Sequence, residues 1–357
     1  MRPSFISGTK SSHQDSHHTG LIRTRANSAI MPSHIDQRAF VLANRHLGVI
    51  TGDAIHALKQ LPNNCFNVAI TSPPYFWVRD YGVKAQIGHE ETVEEFIKKL
   101  ADVFDEVRRV LHPEGVFYLN IGDTYYSGNG QPHGSDPRCK SRDFMRIKMR
   151  PVDKPGWGIP KKTLLGIPWK LAFEMQNRGW ALRSDIIWNR ENAFSEPTAR
   201  DRPWRKYEHV FLFSKSRFYS YDRSALQGSE DIWEIPIERA KINKDHNAPF
   251  PRKLVERCIA TGCPPGGKVL DPFLGSGTTM MTAILMERSC VGIDLKPSYT
   301  SEVVKVVERL GAEPADWAAL NQHLKAPNPE LETWAGCLRN MRKPRTKPFA
   351  KVNKEIP

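Results

Sequence analysis

From about Phe40 to Gly311 the chain alternates short apolar runs, rich in β-branched residues, with longer stretches whose apolar residues recur at helical spacing. That alternation constrains the fold more than any other feature, because strands separated by helices form a parallel sheet that the helices cover. HLGVIT, NVAIT, VFYLNIGD, LRSDIIWN, HVFLFSKS, KVLD and CVGIDL read as strands. VEEFIKKLADVFDEVRRVL puts Phe96, Leu100, Val103, Phe104, Val107 and Leu111 on one helical face. TLLGIPWKLAFEMQNRG reads as a helix ended by Gly179, and FPRKLVERCIATGC as one stopped by Pro264-Pro265-Gly266-Gly267. TMMTAILMERS and SYTSEVVKVVERLGA complete the helical set.

The pattern divides the chain into a flexible N-terminal arm over 1–36, one ordered domain over 37–325, and a basic tail over 326–357. Periodicity fails inside the domain over 127–162. From Tyr125 to Lys162, nine Lys and Arg residues stand against Asp136, Asp143 and Asp153. A long loop of that kind within a compact domain is usually functional. The formal net charge of +13 favours a polyanionic partner, since phosphate contacts release counterions. The six cysteines are scattered without a CxxC pair, so neither a disulfide framework nor a metal site is expected. No run approaches the roughly 20 apolar residues of a membrane span. The N-terminus lacks a secretory apolar segment, and the expected compartment is the cytoplasm.

Two turns carry the chemistry. In KVLDPFLGSGTT an apolar strand enters a turn with Gly275 and Gly277 and then a helix, and about twenty residues on CVGIDL ends near Asp294. Glycines admit a ligand close to the backbone, and an acid after the next strand can bond two ribose hydroxyls. No Gly-Lys-Ser/Thr follows and the pattern is not GxGxxG, so the turn is either a nucleoside site or an ordinary tight turn. In Thr71-Ser72-Pro73-Pro74-Tyr75 two prolines stiffen the exit from a strand. Such a turn either merely ends the strand or presents a hydroxyl, a carbonyl and a ring to one planar group. The second use suits an exocyclic amine, whose lone pair is delocalised into its ring. Acceptors at the Ser72 hydroxyl and the Pro73 carbonyl can hold both amine hydrogens, and Tyr75 can stack on a base drawn out of its helix.

TSPPY followed some two hundred residues later by LDPFLGSGTT resembles the N4-cytosine/N6-adenine DNA methylase family of bacteria and phages, in its β-group motif order. The resemblance runs from about Gly48 to Gly311 and includes GDAIHALKQLP, EVRRVLHPEGVFYLNIGDTY, YEHVFLFSKS and HNAPFPRKLVERCIATGC. It implies an α/β, Rossmann-like, S-adenosylmethionine-dependent methyltransferase fold, with a mostly parallel seven-stranded sheet, helices on both faces and a circularly permuted chain order. It implies catalysis by Ser72, Pro73, Pro74 and Tyr75. It places the cofactor against Asp271, Pro272, Phe273, Gly275, Ser276, Gly277 and Thr278, with Asp294 on the ribose, Phe250 and Pro251 at the border, and Asp53 near the adenine or the target base. No metal is needed, because the sulfonium methyl is already activated.

Two segments depart from the family pattern. NRENAFSEPTARDRPW replaces a more usual run with Lys-Pro, and only about thirty residues separate YEHVFLFSKS from HNAPFP, where a recognition domain often lies. Recognition is therefore expected in the basic insert, through Arg138, Lys140, Arg142, Arg146, Lys148 and Arg150, with phosphate contacts the more common role. Ser at the head of the tetrapeptide resembles the cytosine-N4 enzymes, and Asp at that position the adenine-N6 enzymes. The expected activity is cytosine-N4 methylation of duplex DNA by base flipping, with a separate cognate restriction endonuclease as a further partner. Adenine-N6 methylation is the alternative, ahead of an RNA or protein amide methyltransferase or an inactive DNA-binding regulator.

Overall fold

Strand β3 (Phe66–Thr71) is buried along its whole length, as its nearly continuous apolar sequence requires of a central parallel strand. Ala69 faces one hydrophobic core, while Val68 and Ile70 face the other. The computed structural model describes residues 35–78, 80, 82–83, 86–131, 149–193, 200–226, 230–238, 250–331 and 334. The other strands are β1 (Asp36–Leu42), β2 (Arg45–Thr51), β4 (Leu111–Ile121), β5 (Ala181–Asn189), β6 (Tyr207–Ser214), β7 (Ile232–Glu234), β8 (Lys268–Asp271), β9 (Ser289–Asp294) and β10 (Glu313–Ala315). They form one sheet in the order β10-β1-β2-β9-β8-β3-β4-β6-β5-β7.

The expected seven-stranded sheet is the central run from β2 to β5. Within it β2, β9, β8, β3 and β4 are parallel, and β6 runs antiparallel to both β4 and β5. Helices α1 (Ala54–Lys59), α2 (Val93–Val110) and α3 (Ile167–Asn177) pack one face; α4 (Arg252–Gly262), α5 (Thr278–Leu285) and α6 (Pro297–Arg309) pack the other. Chain order puts the turn after β3 ahead of the turn after β8, which is the permuted order. From β3 the chain leaves through α2 to β4 on one side, and from β8 through α5 to β9 on the other. The diverging connections open a crevice at the carboxyl ends of β3 and β8, where open α/β sheets bind ligands.

Three edge strands and one helix extend this core. The order begins at Asp36 rather than near Phe40, because β1 turns back on β2 through Ala43, which has a φ of 54°. Helix α7 (Trp317–Lys325) buries Leu320 and Leu324. A Cβ at Gly48 of β2 would lie 2.7 Å from Leu320 and 3.1 Å from Trp317, so the glycine makes room for that helix.

Parts of the basic insert are ordered, contrary to a structureless loop. The backbone amides of Ser127 and Gly128 donate to the Val152 carbonyl at 2.9 and 3.0 Å. The Tyr126 and Trp157 rings stack at 5.1 Å. The 1–34 part of the N-terminal arm and nearly all of the tail beyond 331 lie outside the described residues.

Candidate active site

The glycine turn is organised by two carboxylates. Asp271 ends β8 fully buried, and both its oxygens accept hydrogen bonds. Thr71 and Phe273 N donate to Oδ1 at 2.6 and 3.0 Å, and Thr279 to Oδ2 at 2.6 Å. Burial pushes its pKa up to about 6, against the pull of those three donors. Thr71 is the last residue of β3, so this bond stitches the strand that carries Ser72 to the strand that carries the glycine turn. Asp271 therefore shapes the turn from beneath.

Asp294, half-buried at the end of β9, accepts from Gly275 N and Lys296 N, each at 2.8 Å. Burial raises its pKa to about 6 as well. Gly275 and Gly277 adopt φ values of 55° and 84°, in the left-handed region that favours glycine. A Cβ at Gly277 would also lie 2.8 Å from Val303, so that turn can sit against α6 only as glycine. Thr278 then opens α5, whose free amides and dipole favour an anion. Ser276 and Thr278 bring their hydroxyls within 3.5 Å of each other. Pro272 is buried, whereas Phe273 is half-buried with its ring edge-on to Phe104 at 6.5 Å. Phe250 is half-buried against the second core, and Pro251 caps α4. Asp53, beyond β2, caps α1 through His56 N at 3.0 Å and accepts from His56 Nδ1 at 2.8 Å. Its neighbour Gly52 donates to the Asp294 carbonyl at 3.0 Å, which places both acids on one rim of the crevice.

The tetrapeptide lies across the crevice. The Tyr75 hydroxyl donates to Glu208 Oε2 at 2.6 Å and lies 3.4 Å from Asn120 Oδ1, and the Ser72 hydroxyl donates to Tyr75 at 3.4 Å. Glu208 is held in turn by Arg190 Nη1 at 3.0 Å and Asn120 Nδ2 at 3.2 Å. Burial and the Glu208 charge push the Tyr75 phenol well above its ordinary value, so it stays a neutral donor. A Cβ at Gly122 would lie 2.8 Å from the Tyr75 ring, and one at Gly88 would lie 3.1 Å from the Tyr75 carbonyl. The two glycines thus let flanking segments close on the turn from both sides.

The crevice therefore gathers Ser72, Pro73, Pro74 and Tyr75 with the whole glycine turn and Asp294. Asn120, Arg190 and Glu208 were not singled out by the sequence reading, although Glu208 was legible as a carboxylate entering an apolar strand. Of the six basic residues expected to bind DNA, Arg138, Lys140, Arg142, Arg146 and Lys148 lie outside the described residues. Arg150 does not project as a free cation. Its Nε and Nη2 close on buried Asp153 at 2.8 and 2.9 Å, which pins the insert's return to the domain.

Comparison with known proteins gives the same assignment. The DNA methylase family model for N6 and N4 enzymes matches residues 66–305. The chain is 41% identical to the Type II methyltransferase M.SmaI of Serratia marcescens over 268 residues, covering 72% of this chain and 89% of that one. It is 40% identical to M.XycI of Xanthomonas campestris pv. cyanopsidis over 286 residues, covering 78% and 93%. The fold is shared with PvuII DNA methyltransferase (cytosine-N4-specific), at a TM-score of 0.54 and 20% identity over 82% of this chain and 90% of that one. It is also shared with a DNA modification methylase of Thermus thermophilus in complex with S-adenosyl-L-methionine, at a TM-score of 0.52 and 23% identity over 73% and 92%. Strand order, the paired turns and these similarities together make the chain a member of the N6/N4 DNA methylase family, the S-adenosylmethionine-dependent DNA amino-methyltransferases.

Proposed function

We propose that the protein methylates the exocyclic N4 of cytosine in duplex DNA, on a base flipped out of the helix. The observation that carries this reading is Ser72. A neutral hydroxyl, not a carboxylate, heads the catalytic turn, and it is hydrogen-bonded in a row to Tyr75 and Glu208. The donor set fits the cofactor. Asp294 retains acceptor capacity for a vicinal diol, the start of α5 suits a carboxylate, and Phe273 and Phe250 offer apolar borders. When bound there, S-adenosylmethionine supplies an activated sulfonium methyl.

The chain's own residues then act on the base. Ser72 Oγ and the Pro73 carbonyl accept the two amine hydrogens and favour a pyramidal nitrogen, so the lone pair is freed from the ring. Tyr75, fixed by Glu208 at its hydroxyl and by Gly122 at its ring edge, offers a flat surface to the extruded base. Once methylated, the nitrogen must lose a proton. Ser72 accepts it while passing its own to Tyr75, and Tyr75 passes its own to the Glu208 carboxylate. Each bond in that row already points in the needed direction.

As a Type II enzyme the protein would protect sites that a separate restriction endonuclease reads. Adenine-N6 methylation on the same scaffold is the second reading, favoured by the similarity of the two target amines. The test is label transfer from S-[methyl-labelled]adenosylmethionine to unmethylated bacterial DNA, followed by nucleoside separation. Label in cytosine supports the proposal. Label confined to adenine replaces it with the second reading, and label in RNA or protein alone removes both.

A further inference from the structure

Arg205 stands just before β6, with its guanidinium set beside the catalytic turn. Nη2 donates to the Asp123 carbonyl at 2.6 Å, while Nε and Nη1 are shielded from solvent and bond nothing among the described residues. Asp123 follows Gly122, the residue on which the Tyr75 ring rests. The backbone of Arg205 is fixed from the same network, since Arg190 Nη2 donates to its carbonyl at 3.2 Å while Arg190 Nη1 binds Glu208. Nearby carboxylates are engaged elsewhere. Asp123 caps α3 by accepting from Gly166 N at 2.9 Å and Ile167 N at 3.1 Å, and Asp201 pairs with Lys162 at 2.7 Å. The Tyr125 ring lies 3.8 Å from the Arg202 guanidinium and 5.8 Å from that of Arg205, so one aromatic ring gathers both cations.

A guanidinium is charged at every physiological pH, and two desolvated donor nitrogens without an acceptor are unfavourable until one arrives. Nε and Nη1 lie on opposite edges of the guanidinium, so the edge that can take a phosphate through two parallel bonds joins Nε to the second hydrogen of Nη2. We propose that Arg205, with Arg202 braced on Tyr125, forms a phosphodiester site for the strand whose base enters the catalytic turn. The inference rests on the DNA methyltransferase reading and adds a contact on the β5–β6 connection, apart from the basic insert. It also gives the departure NRENAFSEPTARDRPW a use. The run ends at Trp204, directly before Arg205, and so brings Arg202 beside it on the target strand instead of offering a Lys-Pro to the base.

The test measures binding of a labelled random-sequence duplex across a salt series by fluorescence anisotropy, for wild type, Arg205→Ala and Arg205→Gln. One lost phosphate contact lowers the slope of log affinity against log salt by about 0.9, with weaker binding at every salt concentration. The expected result is that drop in both variants, with S-adenosylmethionine affinity unchanged as proof that the fold and the cofactor side are intact. An unchanged slope in both variants overturns the proposal. So does an unchanged slope accompanied by relaxed methylation specificity, which would make Arg205 a reader of base edges. If wild type binds no duplex, the DNA reading itself fails and this inference falls with it.

Discussion

On the proposed cofactor side of the crevice the polar groups are bonded mostly by their own neighbourhood. Asp294 takes its donors from Gly275 and Lys296, and Asp271 takes two of three from Phe273 and Thr279. On the proposed catalytic side Tyr75 depends on Asn120 and Glu208, which lie 45 and 133 residues away in sequence. One half is a local loop whose geometry its own sequence specifies. The other exists only once β3, β4, β5 and β6 are side by side. Thr71, bonded to Asp271, joins the two directly. The halves should therefore be separable by mutation, with cofactor affinity answering to one and turnover to the other.

The largest expected effect comes from Ser72→Ala combined with Tyr75→Ala. Removing preorganised groups at a reacting centre should lower kcat by at least about 10²–10³-fold, with S-adenosylmethionine affinity by calorimetry unchanged. Unchanged methylation would remove these residues from the chemistry, and an equal loss of cofactor affinity would show that the halves are one unit. Asp294→Ala comes next. Losing hydrogen bonds to a charged group, at about 1.5–3 kcal/mol, should weaken cofactor binding roughly 10- to 100-fold and leave duplex affinity unaffected. Equal losses of both affinities would contradict the division.

Glu208→Gln should reduce kcat by about tenfold, with little change in the KM for S-adenosylmethionine. Glutamine keeps an acceptor for Tyr75 but cannot hold the Arg190 charge or take a proton. A change in KM alone would make Glu208 a purely structural support. The smallest effect is in pH. In the proposed role Asp294 accepts from both ribose hydroxyls as a carboxylate, so cofactor affinity should fall as pH drops through about 6, by about twofold there and more below. Asp271 titrates in the same range, so the midpoint belongs to the pair. A flat profile from pH 7 to pH 5 would remove the Asp294 charge from cofactor binding. For stability the sign is opposite. Both pKa values are raised from 3.8, so the folded chain holds more protons between about 4 and 6, and ionising these groups lowers stability as pH rises through that window.

The same contrast explains what the sequence could disclose. Strand β3, the long amphipathic face of α2 and the strand–glycine–helix–strand unit around Asp271 and Asp294 are periodic or local, and each is legible without coordinates. Strand β1, polar at Asp36, Gln37 and Arg38, offers little apolar signal and exists because β2 and β10 pair with it. Helix α7 is short, and its burial depends on the absent side chain at Gly48. Glu208 and Arg190 could be seen as residues, but their meeting with Tyr75 is a product of strand order. Arg150 shows the reverse case, in which a charge counted toward a basic surface is neutralised by a buried carboxylate three residues on.

We propose above that this site makes N4-methylcytosine in DNA. The direct measurement is mass spectrometry of nucleosides from the DNA of a methylation-free host that expresses the protein, beside the same host expressing Ser72→Ala. N4-methylcytosine is expected in the first sample, with a large loss of it in the second. N6-methyladenine without N4-methylcytosine would contradict the role given to Ser72 in choosing the base, while leaving the fold and the cofactor side as described.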